Sequence, residues 1–137
     1  MGDRDDFLEW FNTTWWAAEV ALHNGDPAPR FGTWSEREPI TLFGAWISAN
    51  GSQAVREVFS NLARGFSDAA SSDIELIAAD VSGDMAYTAH REITSVSVDG
   101  SARAYVLRVT QVYRREAGEW KVVHRHGDEE TDAVPGP

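Results

Sequence analysis

Val112-Tyr113-Arg114-Arg115-Glu116-Ala117-Gly118-Glu119-Trp120-Lys121-Val122-Val123-His124-Arg125-His126 is the stretch on which the fold turns. β-Branched and aromatic residues recur on both sides of Glu116-Ala117-Gly118, a tight-turn sequence, so the segment predicts two antiparallel strands joined by a hairpin. Upstream, the same period of two predicts strands over residues 103–115, 86–98 and 74–81, with turns at Asp99-Gly100 and Ser82-Gly83-Asp84. With 120–126 these make four consecutive strands, an antiparallel meander. Before residue 74 the period is helical. Phe7, Phe11, Trp15, Ala18 and Leu22 recur at spacings of three and four and predict an amphipathic helix over 4–23, stopped by Asn24-Gly25. Asp26-Pro27 predicts a cap and first-turn proline for a short helix ending near residue 34. Residues 40–46 predict a first strand, and Val55, Val58, Phe59, Leu62 and Phe66 predict a helix over 53–67.

Helices followed by a meander imply an α+β domain, a curved antiparallel sheet covered by N-terminal helices. Strands this long must twist, which leaves the sheet concave and cone-shaped with a pocket at its open end. Residues 1–128 are read as one domain, and 129–137 as a disordered acidic and Pro/Gly tail.

Composition narrows the partners. The 137 residues carry 12 Lys+Arg against 22 Asp+Glu, a formal charge of −10, which repels phosphate backbones and anionic headgroups and argues against nucleic acid and membranes. With no cysteine, disulfides, thiolate nucleophiles and cysteine-based zinc sites are excluded. Met1-Gly2-Asp3-Arg4-Asp5-Asp6 lacks the basic and apolar regions of a signal peptide, so a cytoplasmic protein is expected. No phosphate-binding glycine loop, G-x-S-x-G or H-E-x-x-H occurs, and no cofactor is expected.

Three segments together resemble the SnoaL-like branch of the nuclear transport factor 2-like superfamily: Ala21-Leu22-His23-Asn24-Gly25-Asp26, Val81-Ser82-Gly83-Asp84, and the stretch from Val112 to His126. The last is also similar to the association domain of calcium/calmodulin-dependent protein kinase. The resemblance spans about residues 5–128. It implies a cystatin-like roll, usually homodimeric, with a pocket inside the cone. It does not imply one activity, since this superfamily includes isomerases, hydrolases, cyclases and assembly modules.

The ketosteroid isomerase branch, a worked example of carboxylate tuning, needs a carboxylate base, a tyrosine and a protonated aspartate. Residue by residue, the tyrosine becomes Ala18, the base falls within Thr41-Leu42-Phe43-Gly44, and the acid becomes Gln111, whose amide donates a hydrogen bond but transfers no proton. Glu92 is the one carboxylate of the long central strands. Beside Arg91 it reads as a remnant of a carboxylate–arginine relay or, more plainly, as half of a surface ion pair. His124 and His126, at i and i+2, have a chelating spacing with His90 as a possible third ligand. The intervening strand and the missing carboxylate favour structural or interface histidines and no metal.

Against the kinase association domain, whose cone holds a cluster of arginines, Arg91 matches one of them, while Gln111 and Gly127 replace two others. Arg125, two residues from Gly127 and so on the same face, restores one charge. The leading expectation is a homodimer binding a small organic acid or carbonyl compound through Arg91, Gln111 and Arg125, with Trp46 and Tyr113 on its apolar part. The alternatives are an isomerase- or cyclase-type enzyme working through Glu92, His90 or Tyr105, and an assembly module without ligand. Strand register separates the first two: Arg91 and Gln111 facing inward favour binding, His90 and Glu92 facing inward favour the enzyme. The dimer is expected through the outer sheet face, with Val112, Trp120, Val122 and His124 as candidates.

Overall fold

A computed structural model of the chain describes residues 2–130, and within them all side chains but those of 68–71. Helix α1 (Asp3–Trp10) runs through one π-helical turn (Phe11–Trp15) into α2 (Trp16–His23). The wide turn has a sequence reason. Phe7, Phe11 and Trp15 lie four apart, and the wider π turn offsets the drift that an α-helix has at that spacing, so all three remain on the buried face. Phe11 and Trp15 then stack at 4.5 Å, and Phe7 packs edge-on against Tyr113 and Trp120 of the sheet at 4.8 and 5.2 Å.

Helix α3 (Ala28–Thr33) and strands β1 (Thr41–Phe43) and β2 (Ser48–Asn50) lead to α4 (Ser52–Gly65), whose buried face is Val55, Val58, Phe59 and Ala63. Strands β3 (Phe66–Ser82), β4 (Met85–Val98), β5 (Ser101–Glu116) and β6 (Glu119–Glu129) follow as the expected meander, and the six strands lie in the order β2-β1-β6-β5-β4-β3.

Three expectations are corrected here. The first predicted strand stops at Phe43, because residues 44–47 turn back through Gly44 N–H donating to Ile47 O at 2.8 Å; a Cβ at Gly44 would meet that oxygen at 2.7 Å. The returning strand β2 pairs with β1, which adds to the meander in parallel to β6, a pairing between segments 83 residues apart that no local pattern announces. Trp120 and Val122 are buried, not at the outer face: a bulge places Val112 opposite His124 but Tyr113 opposite Val122, so the parity of β6 changes across Val123. Finally, β6 continues through Glu129, and Glu130 N–H donates to Val106 O, so the expected tail of 129–137 does not begin at 129; the rest of it, 131–137, lies outside the described residues.

Candidate functional site

The concave face of the sheet and the helices over it enclose a cavity of about 90 Å³. Its walls are apolar, among them Leu22, Leu42, Phe59, Phe66 and Leu107, and Trp46 stands at its mouth with its ring edge-on to Tyr105 at 5.3 Å. The polar groups that line it are His23, Arg30, Glu92, Tyr105 and Arg125.

Register explains which side chains arrive there. In β4 the buried residues are Ala86, Thr88, His90, Glu92, Thr94 and Val96, and in the β4–β5 pairing Thr88 lies opposite Gln111, Glu92 opposite Leu107 and Thr94 opposite Tyr105. Gln111 in turn faces Arg125 on β6. Arg91 falls on the other face, opposite Arg108, where it binds Glu130 at 2.6 and 3.0 Å and Glu75 at 2.7 Å. The expected grouping of Arg91 with Gln111 is therefore geometrically excluded, because the two have opposite parity in one antiparallel ladder. Of the five expected ligand residues, Arg125 and Trp46 line the cavity; Gln111 and Tyr113 are fully buried beneath its floor.

Glu92, read from sequence as half of a surface pair, is 4 % exposed and holds Arg125 in a two-pronged ion pair at 2.8 and 2.8 Å. Burial would push its carboxyl up, but the Arg125 charge and hydrogen bonds, with a further bond from His90, hold it well below the usual carboxylate range. Burial likewise opposes the Arg125 charge, and Glu92 overcomes it and pulls the guanidinium upward.

Six side chains close a ring of hydrogen bonds around this pair, and one consistent set of donors runs round it. Arginine only donates, so Arg125 Nη1 donates to Gln111 Oε1 at 3.0 Å. The Gln111 amide nitrogen then donates to the Tyr113 hydroxyl at 2.6 Å, and Tyr113 donates to Thr88 at 2.7 Å. With His90 as the neutral imidazole, Thr88 donates to its Nδ1 at 3.1 Å and its Nε2 donates to Glu92 at 2.9 Å. Each hydroxyl both gives and receives, and the ring carries one negative and one positive charge.

A second ion pair sits beside it. Glu19, 3 % exposed, takes both prongs of Arg30, whose guanidinium also lies over the Phe59 ring at 4.6 Å, and Arg125 reaches Glu19 at 3.5 Å. Two carboxylates and two guanidiniums thus cancel at the floor of the cavity. Sequence reasoning missed Glu19, His23 and Arg30. A usable signal existed for Glu19: it is the one charge in the apolar run of residues 15–22, and a lone charge there calls for a buried partner.

His23 donates from Nδ1 to the backbone carbonyl of Glu19 at 2.7 Å, and since a carbonyl only accepts, Nε2 is left as an acceptor. Its ring stacks on Phe66 at 4.8 Å, and the Tyr105 hydroxyl lies 3.4 Å from Nε2. Burial lowers the His23 pKa despite the nearby Glu19 carbonyl and charge. Burial, with Glu92 adding to it, pushes the Tyr105 phenol up to about 12.

The other histidines do not gather. His90 is inside, while His124 and His126 lie on the outer face against Phe43, with His124 Nδ1 2.7 Å from the Thr41 hydroxyl. Among the described residues no group of three or more His, Cys, Asp or Glu is placed to hold a metal ion, and no helix is long and apolar enough to cross a membrane.

A curved six-stranded sheet wrapped round a helix-covered cavity is the architecture of the nuclear transport factor 2-like and cystatin-like proteins. The family described as the SnoaL-like domain matches residues 9–127, and the chain belongs to it. Solved structures agree at the level of fold. A nuclear transport factor 2-like superfamily protein from Salmonella enterica serovar Typhimurium superposes with a TM-score of 0.76 at 16% identity, covering 97% of this chain and 94% of the other. A ketosteroid isomerase-like protein from Erwinia carotovora atroseptica gives 0.73 at 16% identity, covering 90% and 96%. A protein assigned as a calcium/calmodulin-dependent protein kinase type II association domain, from Thiobacillus denitrificans, gives 0.73 at 17% identity, covering 90% and 94%. No curated protein matches the chain significantly.

Proposed function

We propose that this SnoaL-like domain binds a small, uncharged organic molecule in its cone cavity. The observation that carries this reading is the contrast between apolar walls and a floor whose four charges pair with one another. An organic acid, expected from the arginines of the sequence, would have to compete with Glu92 and Glu19 for guanidiniums those carboxylates already hold, in a place where water is scarce. A neutral ligand meets no such competition. Ligand-detected magnetic resonance with a panel of neutral ring compounds and organic acids tests this. Neutral compounds are expected to bind and acids not, and Gly127→Leu, whose side chain would grow into the cavity from β6, is expected to abolish binding while the protein stays folded. A Cβ at Gly127 makes only ordinary contacts, at 3.6 and 3.7 Å. Preferential binding of acids would overturn the reading.

One observation favours proton-transfer catalysis, namely that His90 and Glu92 face inward. Against it, Glu92 is held well below the usual carboxylate range and both its oxygens are engaged, which makes it a weak base. Binding remains the stronger reading.

The outer sheet face supports a homodimer. Phe43, Met85 and Tyr87 stand there 43–46 % exposed, on the face of the sheet that also carries Val112 and His124 and that the helices do not cover. Light scattering is expected to return a mass near twice the 15.2 kDa chain, falling to that of one chain for Val112→Glu. A single-chain mass for the wild type would remove the dimer.

A further inference from the structure

Building on the reading of the cavity as a binding site for a neutral molecule, we infer that His23 Nε2 is its recognition atom and that the ligand carries a hydroxyl group on a compact ring, as a phenol does. The charged groups of the cavity floor are paired with one another. Glu92 is held by Arg125 and His90, Arg125 by Glu92 and Gln111, and Arg30 by Glu19. His23 differs. Its Nδ1 proton is committed to the Glu19 carbonyl, so Nε2, on a ring that lines the cavity, is left as an acceptor, met by the Tyr105 hydroxyl at 3.4 Å, longer than a normal hydrogen bond between such groups.

That arrangement sorts ligands by chemistry. A carbonyl compound can only accept, so it must draw the Tyr105 proton away from His23 and leave Nε2 buried with no donor. A hydroxyl compound gives its own proton to Nε2 and accepts from Tyr105, so both protein groups end with a better partner than they have in the empty cavity. The ring of such a ligand meets Phe59, Phe66 and, at the mouth, Trp46. A site that hydrogen-bonds a hydroxyl discriminates strongly against the isostere lacking it, because its own polar groups are then left unpaired.

Phenol and fluorobenzene make the test, since they differ by replacement of a hydroxyl with a fluorine of similar size. In magnetic-resonance titrations of the full chain, phenol is expected to bind about tenfold more tightly than fluorobenzene. The preference is expected to vanish in His23→Phe, where a ring still stacks on Phe66, and to survive in Tyr105→Phe, where the His23 acceptor remains. In the wild-type protein the nitrogen-15 resonance of His23 Nε2 is expected to move on addition of phenol and not of fluorobenzene, a readout independent of how either variant folds. Equal binding of the two probes, or a preference lost in Tyr105→Phe and kept in His23→Phe, would overturn the inference while leaving the cavity a binding site. Failure of both probes to bind at millimolar concentration would overturn the cavity reading itself.

Discussion

Arg125→Met is expected to lower the unfolding free energy by about 3–5 kcal/mol, because it leaves the Glu92 carboxylate buried and unpaired. The Arg125 amide and carboxylate partners are all buried, with Glu92 4 %, Gln111 0 % and Glu19 3 % exposed, so bulk solvent does not replace the guanidinium. The ring of hydrogen bonds enlarges the effect, since Gln111 loses the donor that fixes its amide and, through it, the Tyr113 and Thr88 hydroxyls. For a domain with a typical stability of about 5–15 kcal/mol this is a large fraction of the whole. The paired change Arg125→Met with Glu92→Leu is expected to recover most of the loss, because it removes both charges together and fills their place with apolar atoms. Arg91→Ala, at the partly exposed outer-face pair, is expected to cause no comparable change. Denaturant midpoints of the three proteins decide the matter. If Arg125→Met unfolds at the same midpoint as the wild type, the ion pair does not hold the interior together.

Acid is expected to destabilise the protein in two stages. The folded-state pKa of His23 is lowered by burial, and that of His124 is lowered by burial and by the neighbouring His126. A histidine lowered in the folded state takes its proton first in the unfolded chain, so stability falls as pH drops through 6.5 and continues to fall until the folded form also protonates. His23 alone contributes a slope of at most about 1.4 kcal/mol per pH unit in that window. Glu92 acts in more acidic solution. Its folded pKa lies well below the model-peptide value of 4.5, so its contribution is fully present above 4.5 and is lost as pH falls toward the folded value. Glu116 is lowered as well, against the effect of burial, by Ser35 and Arg114, and adds the same sign. Urea unfolding followed from pH 7 to pH 3 is expected to show a shallow decline and then a steep one, with the shallow part reduced in His23→Phe. Stability that rises on acidification from pH 7 would contradict the burial of neutral His23 and of ionised Glu92.

The helices and the meander were legible because their patterns are local. Periods of 3.6 and 2, together with Asn24-Gly25, Ser82-Gly83-Asp84 and Glu116-Ala117-Gly118, place α4, the long N-terminal helix and the turns between β3, β4, β5 and β6 near where they lie. Strand β1 lies within the expected first strand over residues 40–46, but its return through β2 and its pairing with β6 were not legible. The three residues of β2 carry too little period, and the partner of β1 is β6, far away in sequence.

Residue identity by itself determined that this chain folds as a SnoaL-like α+β domain and that Arg125 and Glu92 are present on the central strands. Tertiary structure decided what they do. Alternation along a strand says only that His90 and Glu92 share one face and Arg91 takes the other; which face is inside depends on where the apolar stripe of α1 and α2 settles. The bulge at Val122-Val123 then reverses parity along β6, and a one-residue shift moves every side chain beyond it to the opposite face. For the same reason His23, Glu19 and Arg30, on helices outside the sheet, became part of the site: a cavity is made by surfaces brought together from separate segments, and no single segment records its partners.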